Sequence, residues 1–169
     1  MKEYNSLSNN KKYKMLFVCL GNICRSPAAE EVFRSIVRQH GDDHLFEIDS
    51  AGLIDFHEGE LADPRMRQCA SRRGYRLTHR SRPVTPDDFR HFDYLIAMDA
   101  DNIKRLKHKS PQPELHKKIV PLATFLTRHE DAYIPDPYYG NEKDFAYVID
   151  LLEDACSHLY DSLTGNMRE

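Results

Sequence analysis

The chain has 169 residues, a length that predicts one domain able to bury a substantial core. Its formal net charge of −3 shows no basic excess, so nucleic acid is not an expected partner. No stretch has the length and apolar character of a transmembrane helix, so no membrane association is expected. Residues 1–14 lack the apolar segment of a secretory signal. We therefore expect a cytoplasmic protein, with export by a route without a signal peptide left open.

The apolar pattern predicts alternating strands and helices behind a polar tail. Residues 1–13 are rich in Lys, Asn and Ser and predict a flexible tail ahead of a domain over 14–169. Short apolar runs predict four strands, over 15–18, 46–49, 94–97 and 118–120. Helical spacing predicts helices over 27–39, 63–73, 102–107 and 142–163, with shorter pieces near 86–90 and 122–127.

This alternation predicts an α/β fold with one domain. We expect three α/β/α layers around a four-stranded parallel sheet, Rossmann-like, with a phosphate-binding loop after the first strand. Ligands bind such sheets at the carboxyl ends of the strands. Cys19 and Asp99 both follow predicted strand ends, so we expect them at the same edge.

The segment from the first strand to the first helix carries the clearest chemistry. Cys19 follows the strand, and Arg25 comes six residues later, where a helix is about to begin. A loop that returns to a helix N-terminus points several backbone N–H groups at one spot, which suits an oxyanion. The same field stabilises a thiolate, so Cys19 is a candidate nucleophile. The alternative is a buried cysteine at a strand end, with Arg25 merely solvated.

Flanking residues favour the loop interpretation over that alternative. A cysteine and an arginine at this spacing are a weak signal alone, so context must decide. Ser26 can cap the helix and Pro27 suits its first turn. Gly21 and Asn22 tolerate the left-handed backbone conformation that a tight loop needs.

The segment Val-Cys-Leu-Gly-Asn-Ile-Cys-Arg-Ser-Pro-Ala-Ala-Glu, residues 18–30, resembles the active-site loop of the low-molecular-weight protein tyrosine phosphatases. Further matches occur in order along nearly the whole chain, at 49–52, 62–65, 78–82, 92–99 and 136–140. The combination is far more specific than any single motif.

The resemblance implies a phosphocysteine mechanism without metal or cofactor. Cys19 would attack phosphorus, and Arg25 would grip two phosphate oxygens with its planar fork. Ser26 would either donate its hydroxyl to the thiolate or act only as a helix cap. The loop implied to surround the phosphate consists of Leu20, Gly21, Asn22, Ile23, Cys24 and Ser26.

Asp136 lies in the motif Asp-Pro-Tyr-Tyr-Gly and is the implied general acid and, later, general base. A tyrosyl oxygen leaves poorly as an anion, so a positioned carboxylic acid would accelerate its departure. The alternative is that Asp136-Pro137 is only turn chemistry. Tyr138, Tyr139 and Phe56 would form an aromatic slot for a phenyl ring, or else be ordinary half-buried aromatics.

Several polar residues match positions that support the loop. Asn22, Ser50 and His79 are expected to hydrogen-bond the loop into shape. Asp99 is either an acidic residue near the site or the cap of the following helix. The resemblance implies a reversible disulfide between Cys24 and Cys19, whereas the alternative for Cys24 is simple packing.

The predicted function is a protein tyrosine phosphatase that acts on phosphotyrosine proteins, with a tyrosine kinase among the candidates, as a monomer or weak dimer. Protein arginine phosphatases are similar but typically carry Thr at the position of Ile23 and lack the double tyrosine. Arsenate reductases of this fold need two further cysteines, and none lies between Cys69 and Cys156. A phosphocarrier or phosphate-binding module would have no use for Asp136.

Overall fold

The computed structural model describes residues 12–165, which form a parallel α/β sandwich. The sheet has four parallel strands in the order β2-β1-β3-β4. The strands are β1 (Tyr13–Cys19), β2 (Phe46–Gly52), β3 (Tyr94–Ala97) and β4 (Ile119–Pro121). The helices are α1 (Arg25–Gln39), α2 (Pro64–Arg72), α3 (Pro86–His91), α4 (Ala100–Lys109) and α5 (Glu142–Thr164), with short 3₁₀ helices at Asp43–Leu45, Pro113–Lys118 and Leu122–Phe125.

The predicted fold class is confirmed. The observed bounds of several helices and strands differ from the predicted ones, for reasons that lie outside the local sequence. Most of the predicted tail lies outside the described residues, but Tyr13 already pairs with Phe46 as the first residue of β1. The piece predicted as helix over 122–127 is a 3₁₀ turn that ends at Phe125. Within residues 12–165, no helix combines the length and apolar character needed to cross a bilayer.

Alternating residues of β1 point into two separate cores. Met15 and Phe17 pack with Phe33 of α1 and with the apolar stripe of α5. Leu16 and Val18 pack on the other face, against α3 and α4. Every one of these β1 side chains is fully buried, as expected for a central strand covered on both faces.

The strand register brings the ends of β1 and β2 together beneath the loop. Cys19 is paired with Gly52, and the Leu53 N–H donates to the Cys19 carbonyl at 3.1 Å. A Cβ atom at Gly52 would lie 3.0 Å from the Asn22 Cβ and 3.1 Å from the Leu20 carbonyl oxygen. Only glycine therefore allows β2 to approach the loop this closely.

A buried carboxylate on α5 anchors the chain that leads towards Asp136. Asp154 accepts hydrogen bonds from the backbone N–H and hydroxyl of Thr127, the N–H of Arg128 and Nδ1 of His129. Burial opposes the charge on Asp154, but the bonds from His129, Thr127 and Arg128 outweigh it and hold the pKa of Asp154 well below its ordinary value.

We expect Asp154→Asn to lower the free energy of unfolding at neutral pH by about 1–3 kcal/mol, because the four donors lose a charged acceptor. The depressed pKa means that this stabilisation is present above the ordinary carboxyl pKa and is lost as pH falls through the folded-state pKa. Urea denaturation of both proteins at pH ~7 and pH ~2 measures this loss of stabilisation. An equal deficit at both pH values would contradict the assignment.

Candidate active site

The loop between β1 and α1 turns on a single left-handed residue. Asn22 has φ of 58°, and it is the one non-glycine residue with positive φ among residues 12–165. Gly21, which tolerates the same conformation, does not adopt it. Gly21 instead lies where space is short, since a Cβ there would come 3.3 Å from the His57 ring.

The buried carboxamide of Asn22 holds the left-handed turn in place. Its Nδ2 donates to the hydroxyls of Ser26 at 2.7 Å and Ser50 at 3.1 Å. Its Oδ1 accepts from the Arg82 N–H at 3.0 Å and lies 2.9 Å from Nε2 of His79. Both amide hydrogens and both oxygen lone pairs are thus used, which fixes the orientation of the amide.

Cys19 lies at the centre of this loop, at the N-terminus of α1. Its Sγ is 3.0 Å from the Ser26 hydroxyl and accepts from the Ser26 N–H at 3.4 Å. Because the Ser26 oxygen already accepts from Asn22, its proton is directed towards the sulfur. The N-terminus of α1 and these two donors therefore all face the sulfur of Cys19.

The prediction that Ser26 caps the helix is wrong. Helix α1 begins at Arg25, its N-cap residue is Cys24, and no side chain caps it. The helix begins two residues earlier than the Ser-Pro pattern suggests, so Ser26 is already inside the first turn. Its hydroxyl is thereby placed beside Cys19 instead of on the backbone.

The second loop cysteine has a different chemical character. Cys24 is buried, and burial together with the neighbouring charge of Cys19 raises the pKa of the Cys24 thiol far above its ordinary value. Cys24 therefore remains a neutral thiol at physiological pH. All four cysteines are free thiols.

Arg25 is anchored along one edge and open along the other. Its Nη1 donates to Asp99 Oδ2 at 2.7 Å and to the Ile134 carbonyl at 2.9 Å. Its Nη2 lies 3.7 Å from Asp136 Oδ2. Its Nε is buried and has no hydrogen-bond partner among the described residues. The unanchored edge of the guanidinium is therefore available for two oxygens of an anion.

The two interpretations of Asp99 both hold. Its Oδ1 accepts from the Asn102 N–H at 2.8 Å and caps α4, while its Oδ2 binds Arg25. Burial opposes the charge on Arg25, but Cys19, Asp99 and Asp136 keep the pKa of Arg25 raised. Arg25 is thus a permanent cation whose position is set by a helix cap.

Asp136 lies across the cavity from Cys19 on a loop that Ile134 fastens. The Ile134 N–H donates to the Met98 carbonyl at 2.8 Å, and its own carbonyl accepts from Arg25. Asp136 Oδ1 accepts from the Tyr138 N–H at 3.1 Å, and its side chain is 43% exposed. The carboxylate therefore faces the cavity and remains accessible to solvent.

Glu30 belongs to the network beneath the loop, although the sequence assigns it no role. It is buried on α1 and accepts from the Ser50 hydroxyl at 2.7 Å. His79 Nδ1 lies 3.4 Å from Glu30 and 3.5 Å from Asp49. An acidic residue among the apolar positions of a buried helix face is the signal that could have identified Glu30.

Glu30, Asp49 and His79 also form a cluster whose ligand atoms lie within 4.8 Å of one another. Glu30 is occupied by Ser50 and by Arg34 at 2.8 Å, and Asp49 by Arg82 at 3.0 Å. These bonds leave the cluster without a free set of metal ligands. Its function in this structure is to hold Asn22 through His79.

The cavity above Cys19 has a volume of about 230 Å³ and an aromatic rim. The predicted aromatic residues Phe56, Tyr138 and Tyr139 line it, joined by Ile54 and His57, which sequence reasoning missed. Phe56 is 78% exposed and Tyr139 is 95% exposed. The two tyrosines meet edge to face, with ring centroids 4.9 Å apart.

Arg65 is another residue that sequence reasoning missed, and it contacts the Tyr138 ring of this rim. Its guanidinium lies 5.3 Å from the Tyr138 ring centroid and 4.7 Å from that of Phe145. Its Nε and Nη2 bind the two oxygens of Asp63, whose N–H donates to the Ile23 carbonyl. Arg65 thus connects the loop to Tyr138.

A cysteine at a helix N-terminus, an open arginine edge and a carboxylate on the same cavity define a site for an oxyanion ester. The family model for "Low molecular weight phosphotyrosine protein phosphatase" matches residues 14–169. The chain therefore belongs to that family.

Individual members of this family are similar to the chain over most of its length. The Gallus gallus low molecular weight phosphotyrosine protein phosphatase is 42% identical over 142 residues, which cover 84% of this chain and 90% of that protein. The Homo sapiens relative of the same name is 40% identical over 134 residues, covering 79% and 85%. A solved Entamoeba histolytica protein tyrosine phosphatase with Hepes in its active site has a TM-score of 0.89 and 46% identity, covering 93% of this chain and 100% of its own.

We expect Asn22→Ala to reduce kcat by about 10²-fold or more on any substrate, while the protein remains folded. Alanine at φ of 58° is strained, and four hydrogen bonds that shape the loop are lost. Steady-state kinetics and circular dichroism measure the two effects. Asn22→Asp keeps the oxygen acceptor but not the donors, so it serves as the partial control. Wild-type kcat in Asn22→Ala would refute the role of Asn22.

Proposed function

We propose that this protein hydrolyses phosphotyrosine in proteins through a phosphocysteine on Cys19. The single observation that carries the proposal is the open edge of Arg25, which lines the cavity of Cys19 and whose buried Nε has no partner among the described residues. A buried donor without a partner is costly, so a ligand oxygen is the expected occupant. The names of the relatives above support phosphotyrosine as the substrate.

Binding would place the phosphate against the loop. Two equatorial oxygens would take the Nε and Nη2 edge of Arg25, and loop N–H groups from Leu20 to Ser26 would take the remaining charge. These donors are already in place, because Asn22 and Asp99 fix the loop and the guanidinium. Little reorganisation would accompany the reaction.

The first chemical step would transfer the phosphoryl group to sulfur. The Cys19 thiolate would attack phosphorus in line as the P–O bond to the tyrosyl oxygen breaks. Asp136, protonated in the complex, would give its proton to that oxygen, so that neutral tyrosine leaves. The Ser26 hydroxyl, 3.0 Å from Sγ, would stabilise the thiolate before the attack and after its release.

The second step would reverse these roles. Asp136, now ionised, would take a proton from water as the water oxygen attacks phosphorus. The S–P bond would break, and phosphate and the thiolate would be released. The 43% exposure of Asp136 provides the access to water that this step needs.

Selection of an aryl ester would come from the rim. Ile23 is buried beside Cys19 and offers only hydrocarbon, while Tyr138 and Tyr139 can contact a phenyl ring. A phosphoarginine side chain would lose hydration of its guanidino group at this apolar rim. Phosphoserine is too short to reach a phosphate site recessed below the rim.

The natural partner would be a phosphotyrosine protein, with a tyrosine kinase among the candidates, and the enzyme would act as a monomer or weak dimer. We also propose a cytoplasmic location. The support is chemical: four cysteines are free thiols, and a catalytic thiolate needs a reducing compartment.

The function is tested with matched peptides that carry phosphotyrosine, phosphoserine or phosphoarginine. We expect kcat/KM for phosphotyrosine to exceed the others by at least about 10-fold, the effect of one apolar contact in a pocket. Ile23→Thr should narrow the gap to phosphoarginine because it adds a hydroxyl to the rim. A wild-type preference for phosphoarginine would move the protein to that class of phosphatase.

We expect Asp136→Asn to reduce kcat/KM by about 10²–10⁴-fold on phosphotyrosine and much less on aryl phosphates with acidic phenols. A phenol that is stable as an anion needs no proton, so the loss should shrink as the leaving-group pKa falls. A series of substituted phenyl phosphates gives the slope. Equal losses across the series would assign Asp136 a structural role only.

A further inference from the structure

A second, basic groove adjoins the active-site cavity. It is an open groove of about 780 Å³ between Leu53 and Ile54, after β2, and the exposed face of α4. Ile54 lines both this groove and the cavity above Cys19, so the two adjoin at this residue. The α4 side chains that line the groove are Asp101, Lys104, Arg105, Lys107, His108 and Lys109.

The positive charge of this groove is largely uncompensated. Asp101 neutralises Arg105 at 2.8 Å, whereas Lys104, Lys107 and Lys109 have no ion-pair partner among residues 12–165. These three lysines lie together on one helix of ten residues. They give this face a local positive charge, although the chain as a whole has a net charge of −3.

The distance from the start of α4 to its lysines matches the reach of an extended substrate peptide. The helix is capped by Asp99, which binds Arg25, so its N-terminus lies beside the guanidinium that borders the phosphate site. With a rise of about 1.5 Å per residue, Lys104 to Lys109 lie roughly 8–15 Å along the axis from that cap. An extended peptide covers about 3.3 Å per residue and would reach them about two to five residues from its phosphotyrosine.

We propose that this groove, defined by Ile54 and Lys104–Lys109, binds acidic side chains of the substrate, and so selects phosphotyrosines followed or preceded by Asp or Glu. The inference rests on the proposed function and adds the class of sequence that the enzyme prefers. The groove adjoins the active-site cavity, which favours a peptide over a membrane as its ligand. A peptide whose phosphotyrosine is bound at Cys19 must extend out of the cavity past its rim. The contribution is electrostatic and acts on substrate binding rather than on the chemical step.

The test uses phosphotyrosine peptides with neutral flanks, with three Glu on the N-terminal side, or with three Glu on the C-terminal side. One acidic arrangement should lower KM by about 5-fold or more at low salt, with kcat unchanged. The preference should fall steeply towards about 0.5 M salt, since screening removes surface attraction.

Lys104→Glu and Lys107→Glu should each abolish or reverse the preference. Arg76→Glu makes the same charge change at an exposed position outside the groove and should keep it. All three variants should hydrolyse phenyl phosphate with wild-type kcat/KM, because that substrate is too small to reach the groove. Peptide binding to Cys19→Ser, measured by fluorescence anisotropy, repeats the comparison without turnover.

Normal turnover of phenyl phosphate without an acidic preference would overturn this inference and leave the proposed function intact. Persistence of the preference in both lysine variants would also overturn it. Vesicles of anionic lipid serve as the competing arm. Lysine-dependent binding to vesicles, without discrimination among peptides, would assign the groove to a membrane surface instead. Absence of phosphatase activity towards every substrate would refute the proposed function itself.

Discussion

The geometry of this site depends on one strained residue and the amide that compensates for it. Asn22 adopts the left-handed conformation that closes the loop, and its carboxamide binds Ser26, Ser50, His79 and Arg82 at the same time. Because Ser26 in turn contacts Cys19, the position of the nucleophile and the shape of the phosphate site have a common origin. Backbone strain of this kind persists only where its surroundings over-determine it.

The charged groups around this loop are held by fixed partners on the sides that face the protein and are open on the side that faces the cavity. Arg25 is held by Asp99 and by the Ile134 carbonyl, so only its other edge can meet a ligand. Ile134 also fastens the loop of Asp136, which couples the positions of the clamp and the candidate acid. A preorganised arrangement of this kind stabilises transition-state charge without rearrangement during the reaction.

The sequence was informative where function follows from neighbours in the chain, and less so where it follows from tertiary contacts. The Cys19 loop and the parallel sheet follow from local pattern, and the fold is confirmed. The capping role of Ser26 was wrong because the tightness of the turn is set by Asn22 and by the close approach of Gly52. Glu30 and Arg65 were missed because their partners, Ser50 and Tyr138, lie far away in sequence.

The most direct test of the central claim is detection of the phosphoryl group on Cys19. Asp136→Asn mixed rapidly with an aryl phosphate that has an acidic phenol should release a burst of phenol equal to the enzyme concentration, since the second step lacks its base. Acid quenching and peptide mass analysis should then locate one phosphoryl group on the peptide that contains Cys19, and Cys19→Ser should show neither burst nor label. A label on any other residue, or full turnover by Cys19→Ser, would contradict the account.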